Sequence, residues 1–269
     1  MPKPLNIIVC GSLVPDPLQT LEPVETPQGP ALKNEQMLPA VLDPWAACAL
    51  YEAAHLAASR PGSQVTLVSM GPAAKLRQLM MTVAPKATFS LVAVNGPAGG
   101  FADARATAAE LAKAIKAIPG LDMSSVLLFG GCSSASRDAG VTMQFVAEEL
   151  GIQEFFQAVD ELKFDGDDSF TVLERIEGGS YLKSACKGLP AAIGWATGSL
   201  PEPPNNPRTG MMNMPKIMAA LAKAPAAAPA AGGAKFLKTE IPASKRQTRI
   251  EKDMTEEEIA KELAAWIAE

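Results

Sequence analysis

Residues 126–151 read VLLFGGCSSASRDAGVTMQFVAEELG, an apolar run followed by a loop of small residues and a helical segment. A continuous apolar run that ends in two glycines predicts a strand of a parallel sheet covered on both faces. Gly130 and Gly131 would let the backbone turn sharply or approach a ligand closely. Gly151 predicts the end of the helix, because glycine is common just beyond helix C-termini. The stretch therefore predicts a strand–loop–helix unit of an α/β fold.

The loop of this unit is the first candidate binding site. Side-chain hydroxyls and the free N–H groups of a helix N-terminus attract phosphate, and Arg137 could add a positive charge. No complete GxGxxG or Walker A spacing is present, so an ordinary crossover whose serines serve turn chemistry is the alternative at this point. The hydroxyl-bearing residues are Ser133, Ser134, Ser136 and Thr142.

Composition limits the classes of protein that the chain can belong to. Its 269 residues are 48% apolar, which predicts a folded core and not a disordered chain. The net charge of −5, without a basic stripe, and an aromatic content of 5% do not suggest a nucleic-acid partner. The four cysteines are far apart and form no CxxC pair, so neither a disulfide framework nor a metal site is predicted.

Targeting signals are not evident in the sequence. The apolar run near residue 5 is too short for the core of a signal peptide, and no stretch approaches the length of a membrane span. A cytoplasmic location without membrane insertion is therefore predicted.

The strand–helix pattern recurs before and after the central stretch. Apolar strands are predicted near residues 5–10, 64–70 and 88–94, and Asp43 with Pro44 predicts the capped start of a helix. After Gly151, several short alternating segments predict an antiparallel extension. The fold class predicted is α/β, with a parallel-rich nucleotide-binding sheet flanked by helices, an antiparallel extension, and an extended C-terminal arm that ends in a helix.

The second half of the chain divides by composition. Residues 198–215 contain Pro, Gly, Asn, Leu200 and three methionines, and are predicted to form neither a regular helix nor an inner strand. They would be a solvent loop or an adaptable apolar contact surface. We predict an α/β domain at 1–221, an Ala/Pro-rich linker at 222–243, and an arm at 244–269 whose helix must bury an apolar stripe against a partner chain or its own domain.

Four segments together resemble the beta subunit of electron-transfer flavoproteins, over nearly the whole chain. The most specific is the pair SLPEP at 199–203 and NMPKIM at 213–218, which follows the family pattern RLNEPRY…LPNIMKA in order and at nearly the same separation. The others are VPDP at 14–17, the LDPW…ALYEA segment at 42–53, and VSMGPA at 68–73.

The resemblance implies a non-catalytic subunit in a heterodimer with an alpha subunit, on which its C-terminal helix packs. The pair would carry electrons from a flavin-dependent dehydrogenase to a downstream acceptor. An FAD would be shared with the alpha subunit, and this chain would itself hold AMP or, as in electron-bifurcating members, a second FAD.

The resemblance also implies three groups of site residues, none of them catalytic or metal-binding. The cofactor-binding residues implied are Cys10, Asp43, Met70, Gly131, Ser133, Ser134, Asp138, Ala139, Gly140, Val141 and Thr142. The loop beside the flavin is Val14, Pro15, Asp16 and Pro17. The residues that dock the dehydrogenase, with Leu200 as the anchor, are Leu200, Pro201, Glu202, Met214 and Ile217.

Two other functions stay open on sequence grounds. A nucleotide-hydrolysing or adenylating α/β enzyme would need a lysine, a set of Mg²⁺-binding carboxylates or a general base at the loop, which offers Asp138 and Arg137. A scaffold protein with a vestigial nucleotide site is the second alternative.

Overall fold

The fold is built on twelve strands and six helices among the residues that the structure describes. A computed structural model describes residues 2–27, 29–97, 102–136, 138, 140–227, 237–238, 240, 242–243, 248 and 250–268. The strands are β1 (Asn6–Cys10), β2 (Leu13–Pro15), β3 (Pro23–Thr26), β4 (Gly29–Leu32), β5 (Ala40–Leu42), β6 (Gln64–Gly71), β7 (Ser90–Asn95), β8 (Val126–Gly131), β9 (Glu154–Phe164), β10 (Phe170–Arg175), β11 (Tyr181–Cys186) and β12 (Ala191–Trp195). The helices are α1 (Pro44–Ser59), α2 (Ala73–Val83), α3 (Ala104–Lys116), α4 (Thr142–Glu149), α5 (Pro207–Ala222) and α6 (Glu256–Ala268).

Eight of the strands form one sheet in the order β11-β10-β9-β12-β8-β1-β6-β7. The strands from β9 to β7 in this order pair in parallel, whereas β10 and β11 extend the sheet in antiparallel fashion. The predicted α/β class, with its parallel-rich sheet, antiparallel extension and C-terminal helix, is confirmed. The strand predicted from residue 126 lies near the centre, beside β1.

Helices cover both faces of the sheet because side chains of each strand alternate between two apolar layers. In β1, Ile7 and Val9 pack with α1, α2 and α5, whereas Ile8 and Cys10 pack with α3 and α4. Ile7, Ile8 and Val9 are all at most 1% exposed. The burial of both faces explains why the central strands have no polar alternation in the sequence.

The first strand of the antiparallel extension is irregular. The apolar segments 155–159 and 162–164 both belong to the eleven-residue strand β9. Ala158 has a left-handed backbone with φ of 55°, and the pairing register with β12 shifts there. A β-bulge therefore accounts for the irregular apolar pattern without ending the strand.

The prediction that residues 198–215 contain no regular helix is wrong. Helix α5 begins at Pro207 and contains Pro215 in its interior. The Asn206 side chain caps the helix by accepting from the Arg208 N–H at 3.0 Å, and Pro207 suits the first helical position.

Burial of one face of α5 offsets the cost of Pro215, which for an interior proline is about 3 kcal/mol or more. Ile217 is fully buried against the core, and Asn213 is 3% exposed. The Asn213 amide donates to the carbonyl oxygens of Ala84 at 2.9 Å and Ala87 at 2.7 Å. These contacts come from residues far away in the chain, which local composition does not reveal.

The C-terminal region begins with a docked segment. The Asn95 N–H at the end of β7 donates to Pro225 O, and the Ala227 N–H donates back to Asn95 O, both at 2.8 Å. The first residues of the predicted 222–243 linker thus lie along the sheet edge, and residues 228–236 lie outside the described residues. Residues 1–239 form one compact unit and residues 240–269 another.

The second unit contains α6, which begins with a capping box. The Thr255 N–H donates to Glu258 Oε2 at 2.8 Å, and the Glu258 N–H donates to Thr255 Oγ1 at 3.3 Å. Within the described ranges, no helix has both the length and the apolar character needed to cross a membrane.

The packing of α5 makes a testable prediction. Asn213→Ala would leave two carbonyls without their buried donor, and should lower the free energy of unfolding by about 1–3 kcal/mol. Met212→Ala is the control, because the neighbouring Met212 is 63% exposed and its truncation should change stability by less than about 0.5 kcal/mol. Urea unfolding measures both; equal effects would contradict the tertiary role of Asn213.

Candidate functional site

A cleft opens where β1, β6 and β8 end. Its empty volume, counted out to the open mouth, is about 900 Å³. Cys10, Met70 and Gly131, which lie at or near the carboxyl ends of these three strands, all line it. This is the edge at which open α/β sheets bind their ligands.

The cleft brings together most of the residues predicted to bind a cofactor. Eight of them line it: Cys10, Met70, Gly131, Ser133, Ser134, Gly140, Val141 and Thr142. Asp43 and Asp138 are not among the lining residues, and Ala139 and Arg137 lie outside the described residues. Val14, predicted for the flavin loop, lines the same cleft.

The sequence interpretation missed one wall of the cleft. Thr107 and Leu111 project into it from α3, and Pro97 and Met143 add further apolar surface. The spacing of Thr107 and Leu111 places them on one face of a helix, but no motif marks that face as a binding wall. Only the packing of α3 against the sheet reveals it.

The lining divides chemically into an apolar part and a hydroxyl part. Met70, Leu111 and Met143 offer a surface for a flat aromatic group. The serines lie on the loop that precedes α4, and Thr142 is the first residue of that helix. The Thr107 hydroxyl oxygen is buried and has no hydrogen-bond partner within the described structure. A buried polar atom of this kind fits a site that a polar ligand completes.

Asp43 fixes the loop that forms one side of the cleft. Its side chain is 0% exposed, with Oδ1 accepting from the Trp45 N–H at 3.1 Å and Oδ2 accepting from the Ala135 N–H at 2.8 Å. Burial raises the pKa of the Asp43 carboxyl, and the backbone N–H groups of Ala135, Trp45 and Ala46 partly oppose that rise. The structure thus makes Asp43 an anchor of the loop, one layer behind the cleft surface.

Gln157 on β9 holds the other end of the same loop. Its Nε2 donates to Cys132 O at 2.8 Å and to Gly140 O at 3.3 Å. Gly140 has φ of 64°, and a Cβ on it would lie 2.7 Å from Cys132 O. Glycine is required at this position both by the left-handed backbone and by the close approach of the chain.

Asp138 makes its hydrogen bonds to other residues of the same loop. The Ser133 hydroxyl donates to Asp138 Oδ1, and the Asp138 N–H donates to Ser134 O at 2.9 Å. Asp138 also has a left-handed backbone with φ of 55°, which aspartate tolerates better than most residues. Its observed contacts therefore shape the loop.

Cys10 in the cleft and Cys132 on the neighbouring loop are poorly suited to act as nucleophiles. Burial raises the pKa of the Cys10 thiol to about 12. Burial also raises the pKa of Cys132, with a smaller opposing effect from the charge of Arg175. Both side chains are therefore neutral thiols at neutral pH, and only thiolates react readily.

Burial decreases along the predicted flavin loop from Val14 to Pro17. Val14 is 2% exposed, Pro15 and Asp16 are half-buried, and Pro17 is exposed. The Asp16 side chain accepts from the Leu18 N–H at 3.0 Å, which fixes the turn that follows.

The predicted docking residues separate into two environments. Leu200 is 46% exposed, and Pro201 and Glu202 are exposed beside it. Met214 is half-buried on α5, and Ile217 is fully buried in the core. The place predicted for Ile217 in a docking surface does not hold in this chain, because α5 turns that side chain inward.

An eight-stranded, parallel-rich sheet with a cleft across its carboxyl edge defines an α/β protein with a candidate small-molecule site. A sequence model of the electron transfer flavoprotein domain matches residues 33–231, which include the cleft loop and residues 198–202. The chain therefore belongs to the electron transfer flavoprotein family, and its role is related to electron transfer by flavoproteins. No curated protein matches the chain.

The geometry of Gly140 gives a test with a matched control. Gly151 has a similar φ of 71°, but a Cβ there would meet no atom within 4 Å. Gly140→Ala and Gly151→Ala should both lower the free energy of unfolding by about 1–2 kcal/mol, because alanine disfavours the left-handed backbone. Gly140→Ala should lower it further, because Cys132 O must move. Chemical denaturation measures the difference; equal losses would show that the close approach does not constrain the loop.

Proposed function

We propose that this chain is the beta subunit of a heterodimeric electron transfer flavoprotein. The observation that carries the proposal is the domain match over residues 33–231, and the beta assignment is supported by the resemblance of residues 199–203 and 213–218 to beta subunits. The complex would take electrons from a flavin-dependent dehydrogenase and pass them to a downstream acceptor. The bound FAD supplies the redox chemistry, and this chain contributes binding and docking surfaces.

The cleft is proposed to hold AMP or a second FAD. Ser133, Ser134 and Thr142, together with the N–H groups at the start of α4, would bind phosphate oxygens. Met70 and Leu111 would pack against the adenine, and the Thr107 hydroxyl would gain a polar partner. No charged side chain lines the described part of the cleft, which supports retention of a nucleotide over its hydrolysis.

The segment around Leu200 is proposed to dock the dehydrogenase. An aliphatic side chain that is half-exposed in the free protein gains free energy when a partner pocket covers it. Pro201 restricts the backbone next to it, which lowers the entropy lost on docking. The loop Val14–Pro17 is proposed to lie near the isoalloxazine, and the C-terminal arm to pack on the alpha subunit. The cytoplasmic location stays a prediction.

Cofactor content tests the proposal. The chain is co-expressed with its alpha subunit, the complex is denatured with acid, and FAD and AMP are quantified against protein. One FAD with one AMP per heterodimer is the content expected of an ordinary carrier, and two FAD without AMP that of a bifurcating type. One FAD alone would contradict the nucleotide proposal for the cleft, and a complex without flavin would contradict the subunit assignment.

Leu200→Ala tests the docking role. Covering a fully exposed leucine side chain contributes about 1.5–3 kcal/mol, and Leu200 is 46% exposed, so covering it contributes up to about 1.4 kcal/mol. Dehydrogenase-dependent reduction of the flavin at limiting concentration should therefore slow by up to about ten-fold. Flavin content and heterodimer assembly should be unchanged. Ile176→Ala is the matched control, because Ile176 is an aliphatic residue with the same 46% exposure on a different turn. An unchanged rate in Leu200→Ala would refute the docking role.

A further inference from the structure

A buried carboxylate on α1 holds the backbone at Leu200. Glu52 is 6% exposed, and its Oε1 accepts from the Ser199 N–H at 2.7 Å and from the Leu200 N–H at 2.8 Å. Hydrogen bonds from N–H groups to an ionised carboxylate are among the stronger ones in proteins. The backbone of a surface segment is thus attached to the interior directly beside its exposed side chain.

The absence of a side chain at Gly198 leaves room for this carboxylate. Its φ is 69°, and a Cβ on it would lie 2.5 Å from Glu52 Oε1. A larger residue would have to move the loop or the carboxylate. The two positions are therefore matched in space, although they lie far apart in sequence.

Neighbouring residues of α1 hold the following residues of the same segment. His55 Nε2 donates to Pro201 O at 2.9 Å, and the Tyr51 hydroxyl donates to Glu202 Oε1 at 3.1 Å. Lys86 pairs with the same Glu202 carboxylate. Residues 199–202 are consequently fixed along one helix, with Glu52 as the buried contact.

We propose that Glu52 is a positioning residue for docking: it holds the backbone of Ser199 and Leu200 so that the Leu200 side chain is presented to the dehydrogenase in one orientation. The inference rests on the docking role proposed above for Leu200. A segment that is ordered before docking loses less conformational entropy when the partner binds. Glu52 acts through Leu200 and has no contact with substrate or flavin in this account.

The experiment uses the full-length heterodimer with its flavin and a dehydrogenase that reduces it. In Glu52→Ala, the KM of the dehydrogenase for the heterodimer should rise about ten-fold, which is the factor expected when about one residue must be ordered on docking. The kcat and the flavin content should stay unchanged. Glu52→Gln keeps an oxygen acceptor in place and should retain a KM within about three-fold of the original.

A second measurement reports on the loop itself. Hydrogen exchange of the Ser199 and Leu200 amides should be faster in Glu52→Ala than in the original heterodimer and in the control Glu148→Ala, an exposed position on α4. If Glu52→Ala fails to assemble, Gly198→Ala is the second variant, because its Cβ displaces the carboxylate. It should raise the KM in the same way.

The double variant Glu52→Ala/Leu200→Ala separates positioning from other effects. If Glu52 acts through Leu200, adding Glu52→Ala to Leu200→Ala should change the KM by less than two-fold. An additive effect, or an equal loss in Glu52→Gln and Glu52→Ala, would overturn the positioning role. If Leu200→Ala raises the KM and Glu52→Ala does not, the positioning role of Glu52 is overturned and the docking role of Leu200 stands. If Leu200→Ala leaves the KM unchanged, the docking role is overturned as well.

Discussion

The candidate site depends on the burial of the Asp43 carboxylate. Its backbone N–H donates to Ser12 O, its side chain caps α1, and its second oxygen holds Ala135 in the cleft loop. Burial of a carboxylate is unfavourable unless hydrogen bonds compensate it, and the raised pKa of Asp43 shows that its N–H partners compensate only in part. This cost accompanies a loop that is held at Ala135 by Asp43 and at Cys132 and Gly140 by Gln157.

The parts of the fold that local chemistry determines could be predicted from the sequence. The cap at Asp43, the proline at the start of α1 and the box at Thr255 are short patterns whose partners lie within one turn of helix. The central strands were identified because burial on both faces leaves unbroken apolar runs, and this also located the cleft at their carboxyl ends.

The remainder depends on contacts between distant residues. Pro215 indicated an irregular segment, but the bonds from Asn213 to carbonyls more than a hundred residues earlier stabilise a helix there. The same helix buries Ile217, which a linear pattern placed on the surface. Thr107 reaches the cleft because α3 packs over the sheet, and Gln157 reaches the loop across β12. Such placements follow from tertiary packing, which has no local signature.

Helix α1 fixes the spacing between Asp43, which holds the cleft loop, and Glu52, which holds the Leu200 segment. Asp43 and Glu52 are separated by nine residues, a rise of about 13 Å along a helix. Deleting or inserting a single residue between them would rotate one carboxylate by about 100° relative to the other, so that only one of the two loops could remain attached. We therefore expect α1 to tolerate substitutions between Asp43 and Glu52 better than insertions or deletions.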